Sequence, residues 1–168
     1  MQSPMNLHHR LIDLVGAALS AAAPDARVCV ALSGGLDSVA LLSAFVELAR
    51  TRTLSLTALH VHHGLSPHAD AWARFCAELC AQLGVALSVE RVEVERGDGL
   101  GLEAAARRAR YRAFARQPAD IIALAHQLDD QAETFLLQLL RGAGARGLAA
   151  MPALRPLGGG GPLLVRPW

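Results

Sequence analysis

Ser33-Gly34-Gly35-Leu36-Asp37-Ser38 gathers two hydroxyls, two glycines and a carboxylate into one short segment. It follows the apolar run Val28-Cys29-Val30-Ala31-Leu32 and precedes a helical pattern from Val39 to Ala49. A strand that stops in a small-residue turn and restarts as a helix aims several backbone N–H groups at one point. The helix N-terminus adds roughly half a positive charge there, so an anion such as pyrophosphate can be held. Gly34 and Gly35 let the backbone approach that anion without a Cβ in the way. Ser33 and Ser38 offer hydroxyls, and Asp37 suits a Mg²⁺ that rides with phosphates. The segment Ser33 to Ser38, Leu36 included, therefore reads as a phosphate-binding turn. A tight turn whose glycines serve only packing is the competing reading.

A second group of chemically capable residues is His126-Gln127-Leu128-Asp129-Asp130-Gln131-Ala132-Glu133-Thr134, directly after the apolar run Asp120 to Ala125. Asp130, Glu133 and Thr134 are spaced three and four apart, so one helix face presents two carboxylates and a hydroxyl. Such a face can bind Mg²⁺ through oxygen or steer a proton. An acidic first turn that merely complements the helix dipole is the alternative. The phosphate loop that depends on a Gly-Lys-Ser/Thr ending is excluded, because all sixteen basic residues are arginine. Phosphate charge must be met by backbone, metal and Arg.

The elements that must position these groups alternate. Strands are expected at Arg27–Leu32, Ser55–His62, Val85–Val94 and Asp120–Ala125. Helices are expected at Ser38–Arg50, Asp70–Leu83, Leu102–Arg116 and Asp129–Arg141. Gly84 closes the second of these helices, and 95–101 reads as a loop. Alternation of this kind means βαβ units with right-handed crossovers, hence a doubly wound, mainly parallel sheet with helices on both faces, a Rossmann-like α/β fold. Ligands in such sheets lie beyond the carboxyl ends of the strands. That rule brings Ser33–Ser38, His60–His63 and the segment from His126 to one rim. A tail over 152–168, with Gly158 to Gly161 between two apolar stretches, reads as a hairpin or edge strand.

At 168 residues and 52% hydrophobic content the chain suits a single domain, 1–168, with residues 1–23 as an amphipathic N-terminal helix. Aromatics are only 4%, so Leu, Val and Ala must fill the core. A formal charge of +1 provides no global field for nucleic acid, and RNA contact would depend on local arginine clusters. No run approaches the ~18 apolar residues of a membrane span. Three cysteines argue against a disulfide framework and for the cytoplasm. Cys76 and Cys80, four apart on one helix face, read as buried small hydrophobes rather than half of a zinc site.

Ser-Gly-Gly-x-Asp-Ser after a hydrophobic strand resembles the PP-loop ATP pyrophosphatases, also grouped as adenine nucleotide alpha hydrolases, which cleave ATP between its α and β phosphates. Further motifs sharpen the resemblance to the tRNA(Ile)-lysidine synthetases. These are H-V-H-H-G-L at His60–Leu65, E-A-A-A-R-x-x-R-Y at Glu103–Tyr111, H-x-x-D-D-Q-A-E-T from His126, the glycine-spaced Arg141–Leu148 and Arg166-Pro167. They stand in the family's order from Val28 to Pro167.

The resemblance implies a ligase that uses ATP and Mg²⁺ to join free L-lysine to C2 of the wobble cytidine of tRNA(Ile) with a CAU anticodon. The reaction passes through an adenylated base and releases pyrophosphate and AMP. By similarity, Asp37, Asp130 and Glu133 bind metal or position substrate, and His126 contacts the adenosine or α-phosphate. Arg107 and Arg110 meet phosphate or charge developing at the base, while Arg141 and Arg146 touch tRNA. For the two α-helical arginines the alternative is an exposed, charge-balanced helix surface. His60 and His62 share one strand face while His63 points away, so packing beside the adenine, with His60 at the nucleotide, is favoured over a metal strip. The resemblance implies that family members continue into a tRNA-recognition domain, so these residues are expected to be the N-terminal catalytic core. The chain is thus expected to bind ATP yet modify tRNA weakly alone. Homodimerisation is an open expectation. Rival readings are a PP-loop 2-thiolation enzyme, which the lack of any Cys-x-x-Cys disfavours, and a non-catalytic ATP-binding module.

Overall fold

A computed structural model describes residues 4–19, 23, 25–95, 101–125, 154–158 and 161–167. In chain order the elements are α1 (Pro4–Ala18), β1 (Arg27–Ala31), α2 (Leu36–Thr51), β2 (Ser55–His62), α3 (Ala69–Leu83), β3 (Ala86–Arg91), α4 (Gly101–Ala115), β4 (Ile121–Ala123), β5 (Leu154–Pro156) and β6 (Leu163–Val165). The strands form one sheet in the order β3-β2-β1-β4-β6-β5. Every pairing is parallel except β5 with β6. The expected α/β sheet is present, and the strand order reverses at β1, whose neighbours are β2 on one side and β4 on the other.

The alternation of β1 explains the two-layer core. Val28, Val30 and Leu32 join a buried cluster with Val15 of α1, Leu41 and Phe45 of α2, and Cys76 and Cys80 of α3. Cys29, between them, points to the opposite cluster with Leu59, Ile122, Leu164 and the α4 residues Ala113 and Phe114. Successive strand residues face opposite sides, so a strand apolar at every position must be covered on both faces. Helices α1 to α3 cover one face and α4 the other.

Local details follow the same physics. Gly84 adopts φ +69 and caps α3, its N–H reaching Ala81 O and Cys80 O, as the sequence leads one to expect. The third strand is shorter than the expected Val85–Val94, because β3 is an edge strand whose only partner ends at His62, paired with Arg91. One further bond, from Val92 N–H to His62 O at 3.0 Å, closes that ladder. Trp72 and Phe75, which share the helical apolar spacing of α3, are not core: they are 49% and 45% exposed, while Ala69, Cys76 and Cys80 are buried. Small side chains let α3 lie close to the sheet, and the three cysteines are free, buried thiols. The tail is a hairpin, but only β5 is at the edge. β6 lies inside the sheet beside β4, with Leu164 and Val165 fully buried. The fourth expected helix, Asp129–Arg141, lies outside the described residues. Among the described residues no helix is long and apolar enough to cross a membrane.

At the amino edge of the sheet, Asp120 ties β4 to β1. Its Oδ1 accepts from Arg27 Nη2 at 2.7 Å, and its Oδ2 accepts from Arg27 Nε at 3.2 Å and the Arg27 backbone N–H at 2.9 Å. The Arg27 hydrogen bonds hold the Asp120 carboxyl down to about 2. A carboxylate depressed in the folded state adds stability above its unfolded value of about 3.9 and loses it as pH falls through the folded one. Asp120→Asn should therefore lower stability at neutral pH and flatten its decline between pH 4 and 2, as measured by urea unfolding across that range. In the core, Phe45→Ala removes a fully buried ring and is expected to cost about 3–5 kcal/mol in the same experiment.

Candidate active site

Beyond Ala31 the parallel ladder runs one residue further, with Leu32 N–H donating to Leu59 O at 2.9 Å. The chain then leaves the sheet at Ser33. Two serines shape the turn that follows. Ser38 Oγ accepts from Ser33 N–H at 3.2 Å and from Ser33 Oγ at 3.0 Å, and donates to Gly35 O at 2.8 Å. Ser33 Oγ in turn accepts from Gly35 N–H at 3.3 Å. The sequence offers these hydroxyls to a phosphate; in the folded chain they bind each other and the turn backbone. The anion-binding capacity then rests on the first-turn amides of α2, which have no intrahelical acceptor, and on its dipole.

The two glycines are not equivalent. Gly34 has φ +91, and a Cβ there would lie 3.4 Å from Cys76 Sγ and 3.7 Å from Phe75 Cδ1. Gly35 has φ −77 and ψ 160, which any residue adopts, and a Cβ would meet only Ser33 Oγ at 3.5 Å. Gly34 is thus required by backbone conformation and by α3 beneath it, whereas Gly35 leaves open space over the cup. Leu36 points outward, 83% exposed, so it enters the site through its backbone alone. Asp37 stands in the first turn of α2, partly buried.

One cleft of about 640 Å³ runs over the carboxyl rim of the sheet. Ser33, Ser38, His60, His62, His63, Trp72, Arg107 and Arg110 all line it, together with Leu124 and Ala125 at the end of β4. Of the residues singled out from sequence, Ser33, Ser38, His60, Arg107 and Arg110 therefore meet in one place. Gly34, Gly35, Leu36 and Asp37 form the turn at its lip. His126, Asp130, Glu133, Arg141 and Arg146 lie outside the described residues, but β4 delivers the chain to this rim at Ala125.

The histidines divide as their alternation on β2 requires. His60 is 4% exposed, and its Nδ1–H donates to Leu32 O at 2.8 Å, beside Cys76 Sγ at 3.5 Å. That bond braces the end of β1 from which the turn departs and leaves Nε2 without the proton in the neutral ring. Burial pushes the Cys76 thiol up to about 11, so it stays protonated beneath the turn. His62 Nε2 lies 3.1 Å from Asp70 Oδ1, and Arg91 Nη2 donates to the same oxygen at 2.7 Å. The Arg91 hydrogen bond is the main cause holding Asp70 below the usual carboxylate range. Among the described residues no group of three His, Cys, Asp or Glu is set to hold a metal. His60 and His62 are engaged with Leu32 O and with Asp70, respectively.

The opposite wall belongs to α4. Glu103, Arg107, Arg110 and Phe114 line the cleft at spacings of four, three and four, one helix face. Arg107 lies over the Tyr111 ring, 5.1 Å from its centroid, and donates to Tyr111 Oη at 3.3 Å. Arg166, 3% exposed at the end of β6, donates to the same Oη at 3.3 Å. The sequence motif flagged Arg166 but no role for it; the available signal was a charge at the carboxyl end of an apolar strand. Arg110 is half-buried, its Nε enclosed without a hydrogen-bond partner, and the same holds for His63 Nδ1. A charged helix surface does not describe Arg110.

An open parallel sheet with a glycine turn and basic wall at its reversal point defines a nucleotide-using α/β domain. Residues 7–168 match the PP-loop domain family, and the chain belongs to it. A tRNA(Ile)-lysidine synthase of Chromobacterium violaceum is 62% identical over 139 residues, covering 82% of this chain and 32% of the relative. One of Pseudomonas aeruginosa is 57% identical over 135 residues, covering 79% of this chain and 30% of the relative. The chain thus spans about a third of the length of the curated relatives it matches. Among solved structures, the U34-tRNA thiolase NcsA from Methanococcus maripaludis superposes with a TM-score of 0.75 at 17% identity, over 98% of this chain and 60% of that one. At that identity the likeness is one of fold.

The glycines can be tested directly on nucleotide binding. Gly34→Ala, strained at φ +91, should cost about 1–3 kcal/mol of stability and weaken binding at least tenfold. Gly35→Ala should fold with an unchanged Tm yet also weaken binding, since its methyl faces the anion. Calorimetric titration with ATP and thermal melts of both variants separate the two effects.

Proposed function

We propose that this domain is the ATP-using core of a tRNA(Ile)-lysidine synthase. The observation that carries the reading is one cleft in which the amide cup of α2 faces the arginine wall of α4, in a chain 62% identical to a named synthase. ATP use follows from membership of the PP-loop family. The substrates in this reading are ATP, free L-lysine and the CAU-anticodon isoleucine tRNA.

The reaction asks for two displacements. The cytidine C2 oxygen attacks the α-phosphate, the bond to the β-phosphate bridging oxygen breaks, and pyrophosphate leaves with that electron pair. The lysine ε-amine then attacks C2, the C2–O bond breaks, AMP departs, and the amine gives up a proton. Neither step needs a nucleophilic side chain. Both depend on positioning and on stabilising the departing anions. The amide cup between Gly34 and Ser38 receives the diphosphate through N–H groups and the helix dipole. Arg107 and Arg110 supply fixed positive charge on the other wall. Buried His60 keeps the cup in register with the sheet.

Mg²⁺ fits the donors in hand. Asp37 at the cup would serve as an oxygen ligand, since this ion binds through one or two carboxylates with phosphate oxygens and water. When bound it neutralises charge on the leaving diphosphate. Asp130 and Glu133 are proposed as further ligands or positioning carboxylates and His126 as an adenosine or α-phosphate contact, on their sequence motif.

Sulfur transfer has no support in the cysteines. Cys29, Cys76 and Cys80 are all buried, and burial raises the Cys29 and Cys76 thiols to about 11. In a full-length synthase carrying this domain, Asp37→Ala is expected to reduce pyrophosphate release by at least about 100-fold, a loss of roughly 2.7 kcal/mol of transition-state stabilisation. Unchanged release in that variant, or turnover indifferent to lysine in the parent, would refute the reading.

A further inference from the structure

The cleft has a third border besides the amide cup and the α4 wall. Between β2 and α3 the chain crosses the rim as a strap, residues 63–68, and His63, Gly64, Leu65 and Ser66 of that strap line the cleft. Bonds within the strap are local. Gly64 turns at φ +65, Ser66 Oγ accepts from His68 N–H at 3.2 Å, and Ser66 O accepts from Ala69 N–H at 3.1 Å. His68, at the N-cap of α3, makes no side-chain capping bond.

The strap is closed instead by the residues that flank it. His62 ends β2, and its Nε2 lies 3.1 Å from Oδ1 of Asp70 in the first turn of α3. Arg91, which ends β3 and pairs with His62 in the ladder, donates to the same oxygen from Nη2 at 2.7 Å. That hydrogen bond is the main cause holding Asp70 below the usual carboxylate range. An ionised carboxylate can only accept, so His62 carries its ring proton on Nε2 and donates it to Asp70.

We propose that Asp70 and Arg91 are positioning residues for nucleotide binding: acting through buried His62, they lock the strap 63–68 in the conformation that borders the cleft. The inference rests on the ATP-binding part of the reading above and not on its lysine chemistry.

Exposure decides between this role and a purely structural one. Asp70 and Arg91 are 70% and 67% exposed, and an exposed ion pair adds little to global stability. His62 is only 6% exposed, and its backbone is held by the ladder to β3. The network therefore carries the rigidity of the sheet edge to the start of α3 and to the segment between them. That segment adjoins the amide cup, because His60, two residues before His62, donates to Leu32 O where the cup departs. A strap already in place relieves the ligand of ordering it. Without the clamp, affinity falls by the fraction of time that the strap spends in its binding arrangement.

The test uses a full-length protein carrying this domain, with hydrogen exchange read by mass spectrometry and calorimetric titration with ATP. In Asp70→Ala the strap amides should exchange at least about tenfold faster while those of β1 and β2 are unchanged. The ATP Kd should rise about fivefold, with Tm within about 3 °C of the parent. Arg91→Gln should act in the same direction, and the double variant should be no worse than Asp70→Ala alone, since both act through one contact. Asp70→Glu, which keeps the carboxylate, should recover most of the affinity. If Asp70→Ala fails to fold, Arg91→Gln carries the same test from the edge strand. Unchanged strap exchange, or faster exchange with unchanged ATP affinity, overturns the inference. So does a lowered Tm with Kd unchanged, which makes the network structural only. A parent protein that binds ATP but forms no lysine-dependent AMP refutes the ligase reading and leaves this inference standing; one that does not bind ATP overturns both.

Discussion

The parallel pairing of β1 with both β2 and β4 is the constraint on which the site depends. A strand hydrogen-bonded on both sides and buried on both faces cannot move its end without breaking the sheet. The chain leaves it at Leu32, where the last ladder bond and the His60 imidazole both act on the same residue. The crossover through α2 goes to one face, and α4 returns on the other. Helix termini and strand ends thereby converge on one rim, as expected where strand order reverses. The cleft is a by-product of that topology before any side chain is chosen.

Electrostatics in this domain is local. A net charge of +1 makes no long-range field, yet the cleft holds two kinds of positive potential. On one side backbone amides at the start of α2 supply a partial charge that no proton can remove. On the other, α4 supplies guanidinium groups, one lying over the Tyr111 ring and one half-buried. Arginine is the appropriate residue here because it remains charged when partly buried, where a lysine amine would lose its proton more readily.

Tertiary packing also redistributed the duties of individual residues. Ser33 and Ser38, which as isolated residues suit a phosphate, instead lock the turn through a chain of hydroxyl bonds. Trp72 and Phe75 share the apolar period of α3 but flank the glycine turn, because Cys76 and Cys80 take the buried stripe. Helical spacing locates a face only to within one residue type, and the smaller side chains won the position nearest the sheet.

What the sequence determined by itself was the alternation of elements, the parallel sheet that alternation requires, and the glycine turn at the first strand end. Each of these is a short-range signal: apolar period, cap residue, backbone freedom. It also marked Arg107 and Arg110 through a motif, and left open whether they were surface or site. Only the tertiary structure decided that β6 lies inside the sheet, that β3 stops where β2 ends, that Gly34 and not Gly35 is conformationally required, and that His63 and Arg110 line one cleft. Those outcomes depend on contacts between segments distant in the chain. A one-dimensional pattern records which residues are apolar or charged; which of them share a cavity is settled when the sheet brings their strand ends together.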